Sequence, residues 1–156
     1  MIAKVILLKA AKKFKNKNIK FAKYLKCIYI KFTKIIYMKT EQEKFWQSSF
    51  GNEYTDRTRT LTKNFYTTRI KMWTDILPQI PGIKSVFEIG TNIGLHLDCI
   101  KSLNIYKKIK TAGIEINKKA FLIAKKKHAM KNISVLDYKP KKKYDLTYSC
   151  GLLIHL

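Results

Sequence analysis

Two carboxylates and two glycines stand at spacings that suit a small cationic nucleoside. The run Val86-Phe-Glu-Ile-Gly-Thr-Asn-Ile-Gly94 reads as a strand entering a turn and then a helix. Gly90 and Gly94 let the backbone bend sharply and approach a ligand, and the helix that follows offers unpaired N–H groups. A G-x-x-x-G turn alone also suits a plain tight connection, so the acids around it carry the argument. Glu88 lies two residues before Gly90, where it faces the mouth of the loop. Glu115 closes the next expected strand, 21 residues after Gly94, where a carboxylate accepts hydrogen bonds from both hydroxyls of an adenosine ribose. Dinucleotide sites carry G-x-G-x-x-G and set a pyrophosphate on the helix N-terminus. Here Asn92 replaces the second glycine of that pattern, and the preceding acid would repel a pyrophosphate while attracting an ammonium. S-adenosylmethionine has an ammonium, a ribose diol and no phosphate, and is the cofactor these residues favour over NAD.

The elements that must hold these residues follow from periodicity. Strands are predicted at Ser85–Ile89, Thr111–Ile116, Ile133–Asp137 and Tyr144–Ser149. Ile93, Leu97 and Ile100 mark one helix between them, and Ala120, Ile123 and Ala124 mark a second that runs to about Ala129. Alternation of this kind signals right-handed βαβ units and a parallel sheet. Upstream, a helix is expected from about Thr60 to Leu77, with Leu61, Phe65, Ile70 and Trp73 on one side, ended by Pro78 and Pro81-Gly82. Tyr54, Asp56 and Arg57 read either as turn and capping residues or as a lid over the cofactor, with Arg57 pairing to a carboxylate. Three segments result: a basic helical leader at 1–37, N-terminal lid or cap helices at 38–82, and a partial cofactor-binding domain at 83–156.

Glu88-Ile-Gly-Thr-Asn-Ile-Gly94 resembles the first motif of class I S-adenosylmethionine-dependent methyltransferases, and Gly113-Ile-Glu-Ile-Asn117 resembles the second. More narrowly, Glu41-Gln-Glu-Lys-Phe-Trp46 and Phe50-Gly-Asn-Glu-Tyr-Thr-Asp-Arg57 are similar to the start of methylases associated with pseudaminic acid biosynthesis. The resemblance spans residues 38–156. It implies a Rossmann-like α/β fold, with Glu88, Gly90, Asn92, Gly94, Glu115 and Ile116 around the cofactor and Asp137, just after the third strand, near the adenine. It further implies that Asp145 opens the fourth strand and that Tyr148–Leu156 lines the methyl-transfer cleft. The acceptor it implies is a nonulosonic, pseudaminic-type sugar or its precursor in surface glycan synthesis. It assigns no catalytic residue; His155 reads as a structural histidine or as a base beside the methyl group. The family pattern has seven strands in the order 3-2-1-4-5-7-6, of which four fall within this chain. The expectation is therefore an incomplete domain of order 3-2-1-4, with the fourth strand an exposed apolar edge and no methyl transfer at a useful rate by this chain as it stands.

Charge sets further bounds. The 33 basic residues exceed the 10 acidic ones by 23, and the first 39 residues hold twelve lysines and no acid. Within them Phe21, Leu25, Ile28, Phe32 and Ile35 recur at helical steps, which fits either peripheral contact with an anionic membrane or a leader without a catalytic role, Met38 being a natural start. Nucleic acid is not expected as a partner, because no recognition motif accompanies the charge. An RNA methyltransferase and an inactive fragment remain as alternatives. Cys27, Cys99 and Cys150, like His96, His128 and His155, lack metal-ligand spacing, so no metal site is expected and the cysteines fit a reducing, cytoplasmic compartment.

Overall fold

Four short runs pair into one parallel sheet in the computed structural model, which describes residues 39–60 and 63–155. They are β1 (Ser85–Ile89), β2 (Lys110–Glu115), β3 (Ala129–Asn132) and β4 (Leu146–Ser149). Their spatial order is β3-β2-β1-β4, the predicted 3-2-1-4 arrangement. All three pairings are parallel, with Glu88 level with Gly113 on one side and Tyr148 on the other. The two central strands are almost wholly buried, and the two edge strands are partly exposed.

Successive residues of a strand point to opposite faces, so β1 feeds two separate cores. Val86 turns toward α4 (Leu95–Ser102) and α3 (Lys63–Ile76), packing with Leu97, Ile100 and Trp73. Phe87 turns the other way and joins Ala112 and Ile114. Among the described residues the β3–β4 connection covers that second face, through Ile133, Val135, Tyr138 and Tyr144; the Phe87 ring stacks on Tyr138 at 5.2 Å and lies tilted against Tyr144 at 4.8 Å. The predicted face of the upstream helix is found in part, since Ile70 and Trp73 pack on the core. Leu61 and the Phe65 side chain lie outside the described residues.

The third strand departs from expectation. The helix α5 (Lys118–Ala124) stops five residues early, and the strand forms at Ala129–Asn132 rather than Ile133–Asp137. The cause is His128, whose buried ring bonds Thr111 of β2 through Nδ1 at 2.8 Å and meets Asp98 Oδ1 at 3.2 Å through Nε2. That anchor fixes Ala129 beside Ala112 and leaves the alternating Ile133 and Val135 to cover the second face. β4 starts two residues later than predicted. Asp145 instead accepts hydrogen bonds from the Ser85 hydroxyl at 2.7 Å and the Lys84 N–H at 3.0 Å, tying the edge of the sheet.

Upstream stand α1 (Glu41–Gln47) and α2 (Ser49–Arg59), within a unit that begins at Glu41. Ser48 caps α2 by accepting from the Phe50 N–H. The turn reading of Tyr54, Asp56 and Arg57 is thereby corrected: all three are helical. Phe45, Trp46, Phe50 and Tyr54 interlock ring on ring, and the Arg57 guanidinium lies over Phe50 and Tyr54 at 5.7 and 5.6 Å. The proposed basic amphipathic helix at residues 21–35 lies outside the described residues. Among those described, no helix is long and apolar enough to cross a membrane.

Candidate cofactor site

Glu88 and Glu115 share one face of the sheet, because Glu88 is level with Gly113 and Glu115 lies two residues further along β2. Glu88 is 1% exposed, and its Oε2 makes no hydrogen bond. Burial holds its pKa well above the ordinary carboxylate range; the Glu115 charge adds to this, while Tyr148 and Arg69 oppose it. Glu115 is also buried, and burial raises its pKa against the N–H groups it accepts from. Those bonds run from Asn92 N–H to Oε2 at 2.7 Å and from Asn117 N–H to Oε1 at 2.8 Å.

The loop between β1 and α4 is stitched to β2, since Gly90 and Thr91 both donate their N–H to the Ile114 carbonyl at 3.0 Å. Gly90, Asn92 and Gly94 all have positive φ, and Asn is the side chain that best tolerates this conformation. The two glycines serve different ends. A Cβ on Gly90 would lie 3.2 Å from Leu152, in the segment after β4, whereas one on Gly94 would lie 2.8 Å from the His128 ring. Gly94 thus makes room for a packed histidine beneath the loop.

Asn117 was not foreseen as a site residue. It caps α5 by accepting the Ala120 N–H at 2.9 Å, and its amide donates to the Trp46 carbonyl at 3.0 Å and to Asn52 Oδ1 at 3.1 Å. Gly51 must be a glycine, because a Cβ there would strike the Trp46 carbonyl and the Asn117 amide. Asn92 Nδ2 donates to Thr58 Oγ1 at 3.3 Å, and Lys119 pairs with Asp56 at 2.6 Å. Both loops that bond Glu115 are therefore fastened to α2. The Asn-Lys-Lys-Ala run signals a helix cap, but nothing in it signals these long-range bonds. Asn117→Ala should cost about 1–3 kcal/mol through the lost cap and the two lost amide bonds. Amide exchange should then speed up in α1 and α2 ahead of β1 and β2; uniform acceleration across the unit would refute this account.

Ile116 is half-buried beside Glu115, and its carbonyl accepts from Asn132 Nδ2 at 3.0 Å. Asp137 is exposed in a turn rather than just past β3, because that strand ends five residues earlier at Asn132. His155 falls in the short turn Leu153–His155. No cluster of His, Cys, Asp and Glu able to hold a metal occurs among the described residues.

A second polar group lies on the Glu88 face. Tyr148, beside Glu88 on β4, has a buried hydroxyl without a hydrogen bond; burial and the Glu88 charge push its pKa up. Its ring meets Trp73 edge-on at 4.7 Å. Trp73 Nε1 stands 3.2 Å from His96 Nδ1, and Arg69 Nε stands 3.2 Å from His96 Nε2. Burial and the Arg69 charge lower the His96 pKa to about 4, so the imidazole is neutral near pH 7.

No protein-family model and no curated protein sequence matches the chain. Solved structures do match. The plantazolicin methyltransferase BpumL in complex with SAH shares 18% identity at a TM-score of 0.50, over 69% of this chain and 44% of its own. The sugar N-methyltransferase KedS8 from Streptoalloteichus sp ATCC 53650 shares 13% identity at a TM-score of 0.50, over 64% of this chain and 39% of its own. The chain spans less than half the length of either. With the strand order, these likenesses identify the fold as that of class I methyltransferases, represented by its first four strands.

Proposed function

We propose that this chain binds S-adenosylmethionine and forms the cofactor-binding part of a methyltransferase. The observation that carries the proposal is the Glu88 carboxylate, buried and with one oxygen unbonded, on the same face as Glu115. A buried acid with an unmet acceptor suits an ammonium, since charge and hydrogen bond are satisfied together. Glu115 suits a ribose diol, which would take over from the N–H groups of Asn92 and Asn117. Gly90, with a φ of 76° and no side chain, lets the loop turn sharply past Leu152 at the end of β1. Ile116 supplies an apolar flank, and Asp137, in the turn after β3, is the acidic group proposed for the adenine edge.

The bound cofactor would supply an electrophilic methyl group, and the protein residues named here bind and orient it. Rate would come mainly from positioning an O or N nucleophile in line with that methyl. The preferred acceptor is a nonulosonic, pseudaminic-type sugar or precursor, on the strength of the resemblance at residues 41–57; an RNA acceptor rests on charge alone. Calorimetry on the full chain should detect S-adenosylmethionine binding that Glu115→Ala weakens by about 1–3 kcal/mol. Unchanged affinity would remove Glu115 from the site. Incubation with a nonulosonic acid and its nucleotide-activated form tests the acceptor, read by gain of a methyl group in mass spectrometry.

A further inference from the structure

We propose that the connection from β3 to β4 is a docking surface for an anionic membrane. Lys131, Lys139, Lys141, Lys142 and Lys143 meet the lipid phosphates there, and Leu136 enters the acyl boundary. The surface belongs to a different part of the chain from residues 1–37 and does not depend on the cofactor assignment. Basic charge is gathered in this stretch rather than spread evenly. Residues 118–143 hold ten lysines, no arginine and one acid, Asp137, whereas residues 39–117 hold twelve basic residues against eight acids. The lysines around α5 are largely occupied: Lys119 pairs with Asp56, Lys127 with Asp98, and Lys118 and Lys125 lie over the Phe121 ring. Those of β3 and the connection are exposed, and among the described residues no carboxylate pairs with them. Asp145, the next acid along the chain, is held by Ser85 and Lys84 instead. Like charges so closely spaced repel one another, and an anionic surface relieves that repulsion.

The connection is also built to hold its shape. Ile133 and Val135 pack on the sheet, and Ser134 closes the turn that follows. Its hydroxyl accepts from the Leu136 N–H at 3.1 Å, and its carbonyl accepts from the Asp137 N–H at 3.3 Å. Leu136 is left 61% exposed at that turn. The Lys131 ammonium lies 5.5 Å from the Tyr138 ring centre and the Lys142 ammonium 4.8 Å from that of Tyr144, and both rings pack against Phe87. Three features favour a membrane over a nucleic acid. An apolar side chain among lysines gains from an acyl boundary and nothing from a phosphate backbone. Each tyrosine ring is engaged by Phe87 and by an ammonium, which leaves it unfit to stack on a base. The charges are all lysine, point charges that suit a diffuse anionic surface rather than the forked donors that grip phosphates and guanines.

The test is hydrogen exchange read by mass spectrometry on the full chain, alone and with vesicles. Vesicles of phosphatidylcholine and phosphatidylglycerol in equal parts should slow exchange at residues 135–143, and vesicles of phosphatidylcholine alone should not. Lys139→Gln, Lys141→Gln and Lys143→Gln combined should weaken partitioning to the mixed vesicles by roughly 100-fold. Leu136→Ser should weaken it by about three- to tenfold and leave its dependence on salt in place. Exchange in β1 and β2 without vesicles reports whether each variant folds, and the wild-type comparison needs none. Mixed-vesicle binding that protects residues 1–37 but not 135–143 would overturn the proposal, as would no binding at all. Protection of residues 135–143 by single-stranded polyuridylate but not by the mixed vesicles would overturn it in favour of nucleic acid.

Discussion

Gly94→Ala is expected to lower stability by about 2–5 kcal/mol, from two costs at one site. Gly94 has a φ of 86°, and an L side chain in the left-handed region costs roughly 1–2 kcal/mol. The added methyl would also lie 2.8 Å from His128 Cδ2 and 3.4 Å from the Ala124 Cβ. Overpacking of that kind costs about 1–3 kcal/mol, and His128 has little freedom to yield. Its side chain is wholly buried, one nitrogen is bonded to Thr111 and the other faces Asp98. At about 4 °C per kcal/mol for a domain of this size, the melting temperature should fall by roughly 8–20 °C. Trimming the ring in a His128→Ala background should remove the steric part and leave the backbone part, so the two substitutions should not add. A Gly94→Ala protein that melts within a degree or two of the parent would show that His128 does not hold the loop.

The same histidine explains where sequence reading succeeded and where it did not. Ser85–Ile89 was legible to the residue, because a short β-branched and aromatic run followed by glycine has few other readings. Glu88 and Glu115 were legible as a pair, since spacing alone places both at the ends of neighbouring strands. Ile133 and Val135 alternate as a strand should, yet they cover the second face from a loop. Ala129-Met-Lys-Asn is a weak strand former that pairs because His128 fixes its register, so context outweighs propensity there. The helix α2 was hidden for a similar reason: Gly51, Asn52, Thr55 and Thr58 are poor helix formers. Its stability comes from Asn117, Lys119 and the ring cluster, contacts about 65 residues apart or local only in three dimensions. Arg69 and His96 were likewise invisible, 27 residues apart with no motif joining them.

Affinity for S-adenosylmethionine should rise with pH by up to about tenfold per unit from the ordinary carboxylate range up to the raised pKa of Glu88. The empty site holds Glu88 with its pKa well above 4.5, chiefly because burial penalises the charge. In the unfolded chain Glu88 ionises near its ordinary value. For the ligand-free protein, then, a raised carboxylate contributes less stability as pH climbs from that value to the raised one. Binding has the opposite sign. An ammonium placed on Glu88 favours the carboxylate, so below the raised pKa each binding event releases one proton, and acid competes with the ligand. The slope ends at the raised pKa, above which Glu88 is already ionised; each unit of the window is worth about 1.4 kcal/mol. The measurement belongs below about pH 7.5, where the ligand's own α-amino group stays protonated. Titrations in buffers of different ionisation enthalpy count the released protons directly. Glu88→Gln should flatten the profile and remove the buffer dependence, while Glu115→Ala should leave the slope in place, which separates the two buried acids. A wild-type affinity that is flat from pH 5 to 7.5, with no buffer-dependent heat, would mean that Glu88 does not receive the ammonium.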